Sequence, residues 1–276
     1  MIIAQTREDV NRRRKAKGKG RRKAASSRRT PKMVVSTEKS EPLILALETA
    51  TRSGGVAVAR GEQVLAARAG EATVSHSMNL IEMIEEALKE AGVRLSEIDL
   101  FAVAEGPGSF TGLRIGLATV KAFAAHLNRK IAGVSTLAAV AHASGADGEI
   151  IALLPAGRGE VFAQRFSVNR ASVAVMDEAR HLSPSAVMDQ YGGIERLTLA
   201  GEGARMCEPP NGGNPNWVVI DDSHNLATSI ALLGLVSYRE GKLVAPEDLR
   251  AVYVRASDAE INEQWLRQKA QQPTQV

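Results

Sequence analysis

The sequence has few of the residues on which several classes of protein depend. It contains one cysteine, Cys207, among 276 residues, and aromatic residues make up only 4% of the chain. A single cysteine cannot form an internal disulfide or supply the thiolates of a zinc site, so a disulfide-stapled secreted domain and a zinc finger are excluded. No run of about eighteen apolar residues occurs, so no membrane-spanning helix is expected. These absences predict a cytoplasmic protein with no membrane partner.

The composition is otherwise that of an ordinary globular protein, with 44% hydrophobic and 24% charged residues. A chain of this length can form two modest domains, each with its own core. The charge is unevenly distributed. Residues 1–40 hold 14 Lys or Arg and 3 acidic residues, a net charge of +11, which leaves −7 for residues 41–276 out of the total of +4. The globular part is therefore mildly acidic, and only the amino-terminal segment is basic.

The basic segment, residues 1–40, has almost no large apolar side chains after Ile3. Such a segment repels itself and cannot bury enough surface to fold, so the sequence predicts a disordered tail. Three interpretations stay open: a basic arm that attracts nucleic acid non-specifically, a targeting peptide, or an upstream extension of a protein that begins at Met33. A similar polar tail is expected at residues 258–276.

The order of the predicted elements indicates the fold. Three strands from Leu43 to Ala69 are followed by a helix, a strand, a second helix, a strand and a third helix. This is the order of a ribonuclease H-like lobe of the actin type. Strands resume after Gly148 and repeat the scheme approximately. The prediction is an α/β protein with the two-lobed actin-like ATPase fold, in which mixed sheets are flanked by helices, with lobes at residues 41–145 and 146–257.

A glycine-rich turn, GPGSFTG at residues 106–112, joins a buried strand to a long helix that reaches about Leu127. Ser109 or Thr111 can cap this helix. Such a turn either holds a phosphate at the helix start or makes a tight connection, and no Walker lysine follows it. Gly112, Gly116 and Thr119 lie on a face different from the apolar one. Their small size predicts that a second helix can approach there.

The first hairpin carries the residues of a second candidate site. Glu48, Thr49, Thr51 and Ser53 follow the first strand, the place where actin-like ATPases grip phosphate. A magnesium site for ATP needs a pair of carboxylates, and Glu48 is the one acidic residue there. We interpret these four residues as a vestigial nucleotide site.

The histidine spacing at the helix predicted at residues 77–91 shows whether a metal site is expected there. A metal-binding helix places two histidines four residues apart, so that both imidazoles share one face. His76 has Leu80 at that position. No metal site is therefore expected, and no nucleophile, base and orienting group can be recognised together as a catalytic set.

Four segments of the sequence resemble the TsaB (YeaZ) family, which belongs to the glycoprotease-like, TsaD-related superfamily. They are LALETAT at residues 45–51, GPGSFTGLRIG at 106–116, GVSTL at 133–137 and PEDLRAVYVR at 246–255. The resemblance extends over residues 42–257, and the second segment is a specific signature. It implies the two-lobed actin-like fold already indicated by the element order.

The resemblance also implies a function. A TsaB-type subunit is the non-catalytic partner that dimerises with and activates TsaD, the transferase that places threonylcarbamoyl on N6 of adenosine 37 in tRNAs reading ANN codons. It implies assembly with the TsaE-type ATPase, contact with tRNA only through the complex, and a homodimer when alone. ATP and metal are expected on the partner subunits, and this chain is expected to hold no cofactor.

In that family the partner contacts come largely from the first-lobe helices, here residues 77–91 and 112–127. The interface residues expected on this chain are Gly108, Ser109, Phe110, Thr111, Gly112, Arg114, Gly116, Thr119, His76 and Leu80. We expect Arg114 to reach a carboxylate, either that of Glu105 or one on another chain.

The sequence departs from the family pattern at two places and from the catalytic relative at a third. Glu48 stands where an aspartate is usual, Pro155-Ala156-Gly157-Arg158 stands where the family often has Asp-Ala-Arg, and His76 is the one histidine left of the metal-binding pair of the catalytic relative. The departures weaken any case for a nucleotide or metal in the cleft. The alternative function, an actin-like phosphotransferase or ATPase that acts alone, depends on that cleft.

Overall fold

The structure is a computed structural model that describes residues 41–70, 76–169, 172–207, 216–221 and 225–255, with the side chains of residues 76–78 also left out. The basic tail with Met33, the polar tail at residues 258–276 and the side chain of His76 therefore lie outside the described residues. All the described residues belong to one compact unit, Glu41–Val276.

The first sheet has five strands: β1 (Leu43–Glu48), β2 (Gly55–Arg60), β3 (Gln63–Ala69), β4 (Leu100–Gly106) and β5 (Ile131–Ser135). Their order is β3-β2-β1-β4-β5. The first three strands form an antiparallel meander, and β1, β4 and β5 run parallel. The ribonuclease H-like order predicted from the sequence is confirmed. The near-continuous apolar runs of β1 and β4 follow from burial on both faces of the sheet.

Helices cover both faces of this sheet. They are α1 (His76–Ala91), α2 (Phe110–Leu127) and α5 (Leu226–Arg239). On β4 the ring of Phe101 contacts Phe123 of α2, with centroids 6.2 Å apart. The next residue, Ala102, lies against α5, where a Cβ on Gly234 would be 2.7 Å from that of Ala102. Because neighbouring residues of a strand point to opposite faces, α2 and α5 cover opposite sides.

The second sheet repeats the strand order of the first. Its strands are β6 (Gly148–Gly157), β7 (Glu160–Asn169), β8 (Ser172–Val175), β9 (Arg180–Leu182), β10 (Leu197–Ala200) and β11 (Trp217–Ile220). The order is β11-β10-β6-β7-β8, and β9 pairs with β7. Strands β6, β10 and β11 are parallel, and β6, β7 and β8 are antiparallel. The sequence repeat is only approximate, whereas the structural repeat is clear.

Two separate clusters of apolar side chains bury the two faces of β6. Ile150, Ala152 and Leu154 belong to a cluster with α3 (Thr136–Ala143). Ile151 and Leu153 belong to a cluster with α4 (Pro184–Tyr191) and with Cys207, whose thiol pKa is raised to about 11 by burial. Alternate residues of one strand therefore supply two cores.

The predicted boundary at residue 145/146 separates the strands of the two sheets. It does not separate the helices that pack on those sheets. Helix α5 comes from the second segment and covers β1, β2, β4 and β5 of the first sheet, and Leu249 is buried in the same core. Helix α3 comes from the first segment and packs on β6 and β7. The two segments exchange helices, and each sheet depends on both.

Several smaller elements differ from the sequence prediction. Strand β9 and the 3-10 turns Leu95–Glu97 and Ala204–Cys207 were not predicted. Residues 246–255, one of the segments that carry the family resemblance, contain neither helix nor strand. None of the helices in the described part of the chain is long and apolar enough to cross a membrane.

Candidate partner surface and cleft

The glycine-rich turn between β4 and α2 is held by contacts within the chain. Gly106 has φ +124°, a conformation that L side chains rarely adopt, and a Cβ there would overlap the carbonyl oxygen of Val252. A Cβ on Gly108 would lie 2.6 Å from the carbonyl oxygen of Ala50, and the backbone N–H of Ser109 donates to that oxygen at 2.7 Å. The turn therefore needs glycine because the first hairpin and the carboxyl-terminal segment press against it.

The first turn of α2 is capped as predicted. The Ser109 hydroxyl accepts a hydrogen bond from the backbone N–H of Gly112 at 3.2 Å. Gly116 follows one turn later and is buried, and a Cβ there would overlap Oγ1 of Thr49. Gly112 is also buried, and the Thr119 hydroxyl bonds back to the carbonyl oxygen of Ile115 at 2.9 Å. The spacing argument for an outward small-residue face is thus wrong at Gly116, which is small because Thr49 packs on it.

The remaining expected interface residues differ in exposure. Ser109, Thr111 and Arg114 are exposed, Gly108 and Phe110 are half-buried, and Leu80 of α1 is a core residue with 2% exposure. Leu80 cannot contact a partner without unpacking the core, so that expectation is corrected. Leu80 is buried because it lies on the apolar stripe of α1 that packs on the sheet.

An outward small-residue face does exist on α2, one register away from the glycines. It consists of Thr111, Arg114, Ala118, Ala122 and Ala125, all exposed and spaced at three and four residues. We call these five residues the α2 outer face. The sequence prediction included Thr111 and Arg114 but not the three alanines, although alanines at helical spacing give the same signal as glycines.

The neighbouring helix α1 exposes a different chemistry. Ile81 is 50% exposed and is followed on the outer side by Glu82, Glu85 and Glu86. Glu86 and Glu90 both pair with Arg68 of β3. Helices α1 and α2 contact each other, and the paired glutamates of α1 lie toward β3, the edge strand of the sheet.

Three side chains form a stack where α2 begins. The guanidinium carbon of Arg114 lies 3.8 Å from the ring centroid of Phe110. The ring of Phe110 in turn lies 5.1 Å from that of Tyr253, with the planes inclined by 36°. This geometry falls within the range of favourable cation–π and offset aromatic contacts. Arg114 thus packs on its own aromatic neighbour rather than on Glu105.

The first hairpin closes on its own carboxylate. Glu48 is 1% exposed and accepts hydrogen bonds from the backbone N–H groups of Ala50 (2.5 Å) and Thr51 (2.8 Å) and from the hydroxyl of Thr51 (2.5 Å). Thr49 is buried against Gly116, and Ser53 is half-buried. Three donors of the hairpin therefore already bind Glu48, whereas the buried Thr49 hydroxyl has no hydrogen-bond partner in the described structure.

A cavity of about 290 Å³ opens beside this hairpin. The segments that follow β1, β4 and β10 line it, together with the end of β6, Phe162 of β7 and the segment at residues 252–255. Its wall is mostly apolar or aromatic, with Phe110, Phe162 and Tyr253, and its charged residues are Arg52, Glu202 and Arg255. The cavity lies where an actin-like fold has its interlobe cleft, but the first hairpin does not offer it free phosphate donors.

Two carboxylates stand at equivalent places in the two sheets. Glu105 is at the end of β4, and Glu202 follows β10. Burial raises the pKa of both carboxyl groups above their ordinary value, and for Glu202 the nearby Arg52 partly offsets that rise. Glu105 lies against Gly133, where a Cβ would overlap its carboxylate. Each pKa rise reflects burial, which disfavours the charged form.

The described residues hold no group of three or more His, Cys, Asp or Glu that could bind a metal ion. The polar side chains that line the cavity carry carboxylate, guanidinium and hydroxyl groups. No histidine or cysteine occurs among the lining residues that the structure describes. The arrangement offers surfaces for binding and no evident pair of nucleophile and base.

Two ribonuclease H-like sheets that face a common cleft define the two-lobed actin-like class of α/β proteins. Comparison with known proteins narrows this class. The family model described as TsaD, tRNA N6-adenosine threonylcarbamoyltransferase, matches residues 69–249. The solved structure of YeaZ from Pseudomonas aeruginosa superposes with a TM-score of 0.67 at 27% identity, covering 77% of this chain and 99% of that one.

Relatives of known name agree with this match. The tRNA threonylcarbamoyladenosine biosynthesis protein TsaB of Escherichia coli is 30% identical over 223 residues, which are 77% of this chain and 94% of that protein. The protein of the same name from Bacillus subtilis is 33% identical over 121 residues, 43% of this chain and 52% of that protein. The chain belongs to the TsaB (YeaZ) family.

Proposed function

We propose that this chain is the non-catalytic subunit that dimerises with a TsaD-type transferase and activates it. The reaction is threonylcarbamoylation of N6 of adenosine 37 in tRNAs reading ANN codons. The family name supports the pathway, and the α2 outer face is the observation that carries the role. An exposed row of Ala118, Ala122 and Ala125 lets a helix of another subunit approach closely.

The cleft supports the non-catalytic part of the proposal. Glu48 occupies the hairpin donors that an ATPase would direct at phosphate, and His or Cys is missing from the residues that line the cavity. ATP and metal therefore belong to the partner subunits in this proposal. It also includes assembly with a TsaE-type ATPase, contact with tRNA through the complex, and a homodimer when the transferase is absent.

The test is to mix the full chain with the TsaD-type protein of the same organism and measure the mass of the complex in solution. We expect a heterodimer, and we expect depletion of the chain to lower threonylcarbamoyladenosine in cellular tRNA. Unchanged nucleoside levels together with no complex would overturn the proposal.

A second candidate, a phosphotransferase or ATPase acting alone, is favoured by the cavity of about 290 Å³ with Arg52 and Arg255 in its wall. Calorimetry of the isolated chain with ATP and magnesium separates the two functions. Micromolar binding with turnover would favour this candidate, whereas no heat of binding favours the partner subunit.

A further inference from the structure

Arg114 is the charged residue of the α2 outer face. Its guanidinium carbon lies 3.8 Å from the ring centroid of Phe110, and the residue is exposed. Among the described residues no carboxylate pairs with it. A guanidinium carries five N–H donors in its own plane and no acceptor. Arg114 therefore offers donors that no carboxylate in the described part of the chain accepts.

The ring beneath Arg114 is fixed from its other side. Tyr253 packs on Phe110 with centroids 5.1 Å apart. Tyr253 belongs to a segment, residues 246–255, that is attached to both sheets. The backbone N–H of Val252 donates to the carbonyl oxygen of Glu105 at 2.7 Å, and the Arg255 guanidinium donates to the carbonyl oxygen of Ala156 at 2.8 Å. Tyr253 is thus held by the backbone of two different strands.

These contacts make Arg114 a preorganised binding group. A free arginine loses side-chain entropy when it forms an ion pair, and this loss is much of the reason that surface ion pairs contribute little. The contact with Phe110 restricts part of that freedom before binding. Arg114 can bind a planar carboxylate through two parallel hydrogen bonds with less entropy lost on association.

We propose that Arg114 binds a carboxylate of the transferase subunit at the centre of the interface, and that Tyr253 is the positioning residue that keeps Arg114 in its stacked geometry through Phe110. The inference rests on the proposed function and names the chemistry that the partner must present. Charge complementarity requires an acidic side chain opposite Arg114. The neighbouring Ala118 leaves room for the backbone that carries it.

The test measures the dissociation constant of the full chain and the transferase subunit by titration calorimetry. Arg114→Gln is expected to weaken binding about 10- to 100-fold, because truncating one partner of an interfacial charge pair leaves the other charge unpaired. Arg114→Lys should weaken it almost as much, because lysine cannot bind bidentately. Arg196→Gln, an exposed arginine of the second sheet region, is the matched control and should bind like the natural chain.

The positioning role of Tyr253 has its own readout. Tyr253→Leu should weaken binding about 3- to 10-fold, the range of an aromatic contact of about 0.5–1.5 kcal/mol. Tyr253→Phe should restore affinity, and Tyr253→Leu should add nothing once Arg114→Gln is present. Tyr238→Leu on α5, also an exposed tyrosine, should leave affinity unchanged. Thermal unfolding of each variant checks that the fold is kept.

The possible outcomes are distinguishable. If the natural chain does not bind the transferase, the proposed function fails and this inference fails with it. If the natural chain binds and Arg114→Gln stays within about twofold, the inference alone is overturned. A loss of self-association by Arg114→Gln without any loss of transferase binding would place the carboxylate on a second copy, and it would likewise overturn the proposal.

Discussion

The two sheets share one strand order, yet their chemistry differs at the carboxyl ends of the central strands. In the first sheet, β4 leads through a tight glycine turn into the eighteen residues of α2. In the second, the described residues after β10 form the 3-10 turn Ala204–Cys207. Both connections line the cleft, and the first continues into a long helix with an exposed outer face. A repeated strand order can thus lead into different elements in the two sheets.

The edge strands of the two sheets differ in how far their apolar side chains are exposed. In the first sheet the edge strand β3 exposes one large apolar side chain, Val64, at 37%. In the second sheet, β8 and β11 expose apolar side chains, with Val175 at 62% and Val218 at 53% exposure. Edge strands of this kind are shorter and less well covered. We therefore expect substitutions to have larger effects in the first sheet than in the second.

The largest expected effect concerns partner binding. Ala118→Trp places an indole on the α2 outer face, and we expect the dissociation constant for the transferase subunit to rise about 10- to 100-fold, because overpacking costs roughly 1–3 kcal/mol. Calorimetry with purified proteins measures it. Asp189→Trp on α4 is the control on the second sheet and should not change affinity. Equal binding by both variants would refute the assignment of the interface to α2.

The next effect concerns stability. Gly116→Ala should lower the free energy of unfolding by about 1–3 kcal/mol, because the new methyl group overlaps Oγ1 of Thr49. Adding Thr49→Ala removes that atom, which has no hydrogen-bond partner, and should restore most of the loss. Urea unfolding of the single and double variants measures both changes.

The Gly116 experiment also distinguishes the two explanations of that glycine. Gly193→Ala, where a Cβ would meet no atom within 4 Å, is the control and should change stability little. If Thr49→Ala gives no rescue while Gly116→Ala impairs only complex formation, the glycine serves the partner and not the core.

A smaller effect depends on pH. Burial raises the pKa of Glu105, so its protonated form stabilises the folded chain below the unfolded pKa of about 4.3, and this stability is lost as the pH rises through the folded pKa. Glu105→Gln should flatten the dependence of unfolding free energy on pH above about 4.3. Glu202→Gln should flatten it less, because Arg52 partly offsets burial there. Urea unfolding across a pH series would show identical slopes in all three proteins if burial has no such effect.

The smallest expected effect is at the surface. Arg68 joins β3 to Glu86 and Glu90 of α1, and the side chain is 39% exposed. Arg68→Gln should cost about 0.2–1 kcal/mol of unfolding free energy, and the difference should shrink at 1 M salt (about 3 Å screening length). Arg205→Gln, which removes the pair with Asp221 in the second sheet, is expected to cost no more. A larger loss at Arg205 would reverse the comparison of the two sheets.

Sequence periodicity was sufficient for the first sheet, because Leu43 to Ala69 alternates strands with strong turn signals and β4 and α2 have clear apolar patterns. It was insufficient for β9, whose three residues Arg180–Leu182 carry no pattern of their own and pair with β7 only in the folded chain. Long-range packing also escaped prediction. The order of elements does not indicate that α5 packs on the first sheet. The small residue Gly234 is a local sign of this packing, because it lies against that sheet.

At the candidate site, periodicity separated the faces of α2 but could not say which neighbour each face meets. The sequence pattern predicted that Gly116 faces outward. Its actual neighbour, Thr49, lies 67 positions earlier in the chain, so local spacing could not reveal the contact. Arg114 read as a residue that would reach a carboxylate, and within the described chain it lies on Phe110 instead. Whether the expected interface residues contact a partner stays a prediction.

The return of α5 to the first sheet has a consequence for synthesis of the protein. The ribosome synthesises β1 to β5 long before Leu226–Arg239. The side of the first sheet that α5 covers therefore stays exposed until the second sheet has been translated. Completion of the amino-terminal core therefore comes late in translation, and nascent chains truncated before residue 226 should be the form that chaperones retain.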